Sequence, residues 1–112
     1  MSVRNIRPET LNDWLADGGV QLIDVREADE FSRTRIDGAE SRPLSRLDAT
    51  RDTPAGRVVV YCKSGGRSAV AAAALVDAGA PEVFNLDGGI MAWQRCRLPV
   101  RTDKSSPISL MR

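Results

Sequence analysis

The sequence predicts an α/β domain with a largely parallel sheet, and three observations carry the prediction. Short apolar segments alternate with amphipathic helical ones along the chain. Val58-Val59-Val60-Tyr61 is an unbroken run rich in β-branched residues, the pattern of a central strand covered on both faces. Glycines stand where helical periodicity stops, at Gly18-Gly19 and at Gly79. A chain of 112 residues suits one domain, and a domain of that size can bury a core without metals or disulfides.

Pro8-Glu9-Thr10 opens a first helix, with proline in the first turn and Glu9 beside the positive helix end. Leu11, Trp14 and Leu15 fall on one face at i, i+3 and i+4. Residues 21–25 read as a short buried strand, and residues 27–32 as one or two helical turns that carry Phe31 inward. Residues 36–56 are loop-like, broken by Gly38, Pro43, Pro54 and Gly56, with a short strand expected at 39–41 and a helix at 45–49. The run at 58–61 leads directly into Cys62. An alanine-rich helix spans 68–78 and a further strand spans 82–86; Asp87-Gly88-Gly89 then turns the chain into a last helix holding Trp93. Both tryptophans, Trp14 and Trp93, are expected to pack in the core. Periodicity fades after Pro99, so 1–100 reads as the domain and 101–112 as a tail or linker.

Composition removes several function classes. The 16 basic and 15 acidic residues leave a net charge of +1, which sets up no broad field for nucleic acid or an anionic membrane. No stretch approaches the roughly 18 apolar residues of a membrane span. The N-terminus lacks the apolar core of a signal peptide, so a cytoplasmic location is expected. Cys62 and Cys96 do not amount to a disulfide scaffold, and without histidine they fall short of the usual zinc ligands; neither metal nor cofactor is expected. The absence of histidine also removes a Cys–His pair and any histidine general base. A nucleophile in this chain has to be activated in another way.

The loop Cys62-Lys63-Ser64-Gly65-Gly66-Arg67-Ser68 offers that way. Functional loops of parallel sheets lie at the carboxyl ends of strands, where Cys62 sits with a helix starting just after it. The helix start aims unpaired N–H groups and a positive partial charge at the loop. Lys63 and Arg67 add positive charge, while Gly65 and Gly66 let successive N–H groups line an anion-binding concavity. A free thiol with pKa near 8.5 is about 3% ionised at pH 7; such surroundings lower it to roughly 6 or 7 and make the thiolate about half of the population or more. The same concavity suits the charge of a persulfide, Cys–S–S⁻. A cysteine at a strand end is often only a small core residue, but strand, cysteine, glycine pair, arginine, serine and helix in that order each also suit an anion at a helix start.

Three stretches resemble a rhodanese-homology domain. The first is Leu22-Ile23-Asp24-Val25-Arg26 with Glu30-Phe31 and Ile36-Asp37-Gly38-Ala39; the second is the Cys62–Ser68 loop; the third is Asn85-Leu86-Asp87-Gly88-Gly89-Ile90 with Ala92-Trp93. The resemblance implies a twisted, mostly parallel five-stranded sheet with helices on both faces. It implies a sulfurtransferase in which Cys62 attacks the outer sulfur of thiosulfate or a similar donor, becomes a persulfide, and passes the sulfur to cyanide, a thiol or a thioredoxin-like carrier. It assigns the donor site to Lys63, Ser64, Gly65, Gly66, Arg67 and Ser68, with Arg67 on the donor's oxyanion, and makes Asp24 and Arg26 supports of the loop. The sequence departs from the family at Thr34-Arg35-Ile36-Asp37-Gly38-Ala39, where the usual Gly-His-Ile-Pro-Gly-Ala loses its first glycine, histidine and proline.

Two other functions fit the same fold. Dual-specificity phosphatases and arsenate reductases are cysteine enzymes on phosphate-like anions, but those phosphatases place five residues between cysteine and arginine, where this loop has the four from Lys63 to Gly66. Non-catalytic rhodanese-like binding modules typically lack the cysteine that this chain keeps. Cys96 reads as a half-buried packing residue or as a resolving thiol for Cys62, and Arg33, Arg35, Arg42, Arg46 and Arg51 as a solvated face interleaved with acids. The end of the chain, Leu98-Pro99-Val100 through Leu110-Met111-Arg112, is similar to the stretch that joins some bacterial rhodanese domains to a hydrophobic hairpin, which implies a membrane anchor beyond residue 112 with the domain on the cytoplasmic side.

Overall fold

Strand side chains alternate between two directions, and this alternation sorts the apolar residues onto the two faces of one sheet. The computed structural model describes residues 3–51, 54 and 56–102. Its strands are β1 (Arg4–Ile6), β2 (Gln21–Asp24), β3 (Glu40–Ser41), β4 (Arg57–Tyr61) and β5 (Glu82–Leu86). They form one five-stranded sheet in the order β1-β5-β4-β2-β3, with every pairing parallel. Val58, Val60 and Cys62 share a core with Ile23 and Val83, whereas Val59 and Tyr61 share the other with Leu22, Phe84 and Leu86. Each face is covered by helix, which removes both from water. Helix α1 (Pro8–Asp17) brings Leu11, Trp14 and Leu15 to the Tyr61 face. Helix α2 (Ala28–Arg33) follows β2. Helix α3 (Gly66–Asp77) brings Ala71, Ala72 and Leu75 to the Cys62 face, beside Leu44 of a 3-10 turn at Leu44–Arg46. Helix α4 (Gly89–Arg95) brings Ile90 and Trp93 to the Tyr61 face.

Departures from the sequence expectations have local causes. β1 is a three-residue edge strand, with Arg4 and Asn5 exposed and only Ile6 buried, so it presents no readable period. The helix expected at 45–49 is the shorter 3-10 turn, after which Asp48 accepts hydrogen bonds from the N–H and hydroxyl of Thr50 and holds a turn instead. α3 starts at Gly66, ahead of Ser68, because Gly65 caps it with φ 118°, a left-handed conformation that suits glycine. Residues 98–101 run along the body: the Trp93 indole N–H donates to the Pro99 carbonyl at 2.8 Å, and Arg101 pairs with Arg35 in an antiparallel bridge. The stretch compared with a hairpin linker lies mostly at 103–112, outside the described residues. No helix among the described residues is long and apolar enough to cross a membrane.

The turn between β5 and α4 leans directly on the loop after β4. The N–H of Ile90 donates to the Cys62 carbonyl at 2.9 Å, and that of Met91 to the Lys63 carbonyl at 3.1 Å. Gly89, at φ 62°, lies so close that a Cβ would collide with the Cys62 and Lys63 backbone. Gly89→Ala is therefore expected to cost at least about 1–3 kcal/mol through backbone strain, with slower Cys62 alkylation as the loop is pushed aside; urea unfolding and alkylation rates check both.

Candidate active site

Cys62 follows β4 with the parity of Val58 and Val60, so its side chain turns to the face that α3 covers. The helix starts there, and its first intrahelical bond runs from the Ala69 N–H to the Gly65 carbonyl. The N–H groups of Gly66, Arg67 and Ser68 consequently have no helix carbonyl to bind. Gly65 N–H donates to Cys62 Sγ at 3.1 Å, and the Ser68 hydroxyl lies 3.4 Å from the same sulfur. Burial pushes the thiol up, but the Ser68 hydroxyl and the N–H groups of Ser68, Gly65 and Ser64 outweigh it and hold the thiol below its ordinary value. Hydrogen bonds lead this effect, in line with the unpaired N–H groups expected from the helix start, while the Lys63 and Arg67 charges that the sequence added to them are not among its main causes. The sulfur faces the polar bowl, yet Cys62 is only 1% exposed, so the bowl is nearly closed over it.

Arg67 is already engaged. Its Nη1 and Nη2 donate to the two carboxylate oxygens of Glu30 on α2, at 2.7 and 3.0 Å. Glu30 also accepts the Glu27 N–H at 2.9 Å in the capping box of α2. The Arg67 hydrogen bonds hold the Glu30 carboxyl down at about 2. An anion binding at Arg67 has to share it with this carboxylate. Lys63 is exposed and has no ion-pair partner among the described residues.

Asp24 and Arg26 form a buried pair, with Nη2 2.6 Å from Oδ2 and further hydrogen bonds from Arg26 Nε and its backbone N–H to the Asp24 carboxylate. Their support goes first to the segment after α2. Arg26 Nη2 donates to the Thr34 carbonyl at 2.5 Å, and its guanidinium stacks over Tyr61, whose hydroxyl accepts the Ile36 N–H at 3.1 Å. That tyrosine contact anchors the stretch where the usual histidine and proline are missing. Arg26 reaches the loop's surroundings as a wall of a cavity of about 220 Å³ that it shares with Glu30, Arg33, Lys63, Ile90 and Met91.

Cys96 is exposed, not half-buried, and both cysteines are free thiols. It ends α4 with Sγ 3.6 Å from Glu9 Oε2 of α1, on the face of the sheet opposite to α3. Desolvation and the Glu9 carboxylate push this thiol up. Three residues escaped the sequence reading. All three stood in the matching stretches, Gly89 read only as part of a turn and Glu30 and Asn85 given no role. Asn85 carried one further signal, a polar side chain inside the apolar strand at 82–86.

A parallel sheet with an anion bowl at the end of its central strand narrows the fold, and the comparison with known domains decides it: residues 7–96 match the rhodanese-like domain. The chain belongs to the rhodanese-like domain family. It is 40% identical over 101 residues to a sulfurtransferase of Allochromatium vinosum, covering 88% of this chain and 94% of that one. An uncharacterized Synechocystis protein is 39% identical over 109 residues, covering 96% of this chain; the chain spans 61% of that relative's length. A solved thiosulfate sulfurtransferase structure from Pseudomonas aeruginosa has a TM-score of 0.79 at 31% identity, covering 91% of this chain and 20% of that one. Relatives named as sulfurtransferases support a rhodanese-type enzyme.

Two substitutions probe the charges that frame this rhodanese-like site. Asp24→Ala leaves Arg26 buried without its partner and is expected to cost ~3–5 kcal/mol in urea unfolding. Glu30 has a folded pKa depressed from 4.5 to about 2, so its contribution is complete above the unfolded value and is lost as pH falls through that window. Glu30→Gln is therefore expected to lower stability near neutral pH, with the difference from the parent shrinking between about 4.5 and 2; unfolding midpoints across that range check it.

Proposed function

We propose that this chain is a sulfurtransferase that moves a sulfane sulfur from thiosulfate or a similar donor to a thiophilic acceptor through a persulfide on Cys62. The observation that supports this most is the Gly65 N–H on Cys62 Sγ, at the start of a helix whose next three N–H groups lack intrahelical partners. A thiolate formed there attacks the outer sulfur of thiosulfate. The Cys62 Sγ–S bond forms as the donor's S–S bond breaks, and sulfite leaves with the bonding pair. One negative charge remains, now on the outer persulfide sulfur, where the orphan N–H groups can meet it. The acceptor, cyanide in an assay or a thiol or thioredoxin-like carrier in the cell, then attacks that outer sulfur and returns the thiolate.

The other residues take graded roles in this reading. Ser64, Gly65, Gly66 and Ser68 contribute the bowl, and Lys63 draws the anionic donor from the open side. Arg67 contributes with its charge largely met by Glu30. Asp24 and Arg26 keep the neighbouring wall in place. Since Cys62 is 1% exposed, the donor's sulfur enters as the loop yields slightly outward. A reducing cytoplasm suits a free thiol of this kind.

Intact mass after thiosulfate treatment tests the proposal. A gain of one sulfur atom is expected, removable by cyanide and absent in Cys62→Ser; thiocyanate formation that survives Cys62→Ser overturns it. Access gives a second expectation: a small reagent such as iodoacetamide alkylates Cys62 much faster than a bulky maleimide, whereas exposed Cys96 discriminates little. Peptide mapping reads the two sites separately.

A further inference from the structure

Ser68 has one hydroxyl proton and three acceptors within reach. Its Oγ lies 2.6 Å from Asn85 Oδ1, 3.3 Å from the Gly65 carbonyl and 3.4 Å from Cys62 Sγ. The Gly65 carbonyl is already served, by the Ala69 N–H at 3.1 Å and by Asn85 Nδ2 at 3.3 Å. That second bond also fixes the Asn85 amide, since a flipped amide would set its oxygen against a carbonyl oxygen. Asn85 Oδ1 is therefore held facing Ser68, as the nearest of the three acceptors. Ser68 is fully buried and Asn85 is 7% exposed, so water is a poor substitute for either bond.

We propose that Asn85 is a positioning residue that holds the Ser68 hydroxyl proton away from Cys62 while the sulfur is uncharged and yields it only to the thiolate. With a neutral thiol, Ser68 donates to Asn85 and turns a lone pair to the sulfur. When the thiol loses its proton to solvent, the Ser68 hydroxyl turns to the anionic sulfur, and Asn85 Oδ1 is left buried without a donor. The proton never leaves Ser68; only the direction of its O–H bond changes. Asn85 thus offsets part of the help that Ser68 gives the thiolate. In the persulfide the inner sulfur is neutral again, the charge sits one atom further out, and Ser68 returns to Asn85. The arrangement raises the free energy of the thiolate relative to both states that flank it, so the charged sulfur is favoured neither over the thiol nor over the persulfide. This rests on Cys62 being the reactive thiol of the proposed function, but it concerns the ionisation of that thiol and not the fate of the sulfur.

The other charged groups on the elements around the loop include Lys63 and Arg67 on the loop itself, Asp24 and Arg26 at and just after the end of β2, Asp29, Glu30 and Arg33 on α2, Arg57 and Glu82 at the far ends of β4 and β5, Asp77 at the end of α3, Asp87 after β5 and Arg95 on α4. None of them changes when Asn85 is replaced. The test is the pH dependence of iodoacetamide alkylation in a Cys96→Ser background, which reads the thiolate fraction at Cys62 alone. Asn85→Ala is expected to lower the alkylation midpoint by about one pH unit, and Ser68→Ala to raise it. In the Ser68→Ala background, Asn85→Ala is expected to leave the midpoint where it is. Should Asn85→Ala be too unstable, Asn85→Val removes the same acceptor and suits a strand. A midpoint that Asn85 replacement leaves unchanged or raises overturns the proposal. So does an equal shift with and without Ser68, which would assign the effect to loop distortion. Because alkylation needs no sulfur transfer, failure of the persulfide reading would leave this result interpretable.

Discussion

The outward direction of two carbonyls determines the rest of the site. Cys62 and Lys63 present their C=O groups to the first N–H groups of α4. A peptide group is a rigid plane whose N–H and C=O point opposite ways, so fastening those oxygens outside helps turn the loop's hydrogens inward. Gly89 lets α4 come close enough to do this, and Gly65 lets the chain bend back into α3. The sulfur then sits where desolvation and hydrogen bonding oppose each other, and hydrogen bonding prevails. Without histidine in the chain, this balance is what favours the thiolate of Cys62.

Charge acts at one remove. Arg67, the residue that the resemblance sets directly on the substrate, commits both of its Nη nitrogens to Glu30. Arg26 is committed still more deeply, to Asp24 and the Thr34 carbonyl. Their first effect is architectural: Glu30 links α2 to the start of α3, and Asp24 links β2 to the segment that Tyr61 also anchors. Lys63 is left as an exposed cation beside the loop with no ion-pair partner among the described residues. In the proposed reaction, long-range attraction of an anion therefore falls mainly to Lys63, and short-range stabilisation to backbone dipoles.

Much of this fold was legible because strand and helix patterns were strong. The β4 run, the strand at 82–86 and the helices opened by Pro8 and closed by Gly79 follow from local rules that tertiary packing did not override. β1 was hidden because a three-residue edge strand with one buried side chain has no period to read. Within the site, the cysteine loop was plain, since glycine pair, basic residues and helix start are adjacent in sequence. The ties from Glu30 and Asn85 were not, because they join residues 37 and 20 positions apart and depend on which way a side chain points. Arg67 shows the same limit from the other side: its type suggested an anion, while its partner was fixed only by the packing of α2.

The segment after α4 has an unobtrusive consequence. Arg101 is stitched to Arg35, the neighbour of Thr34, and Thr34 lines the cavity beside the loop. The chain at Arg101 is therefore held a short step from that cavity. In the proposed reaction, an acceptor tethered there would meet the sulfur at an effective concentration on the order of millimolar, so geometry alone would favour a linked partner over a freely diffusing competitor.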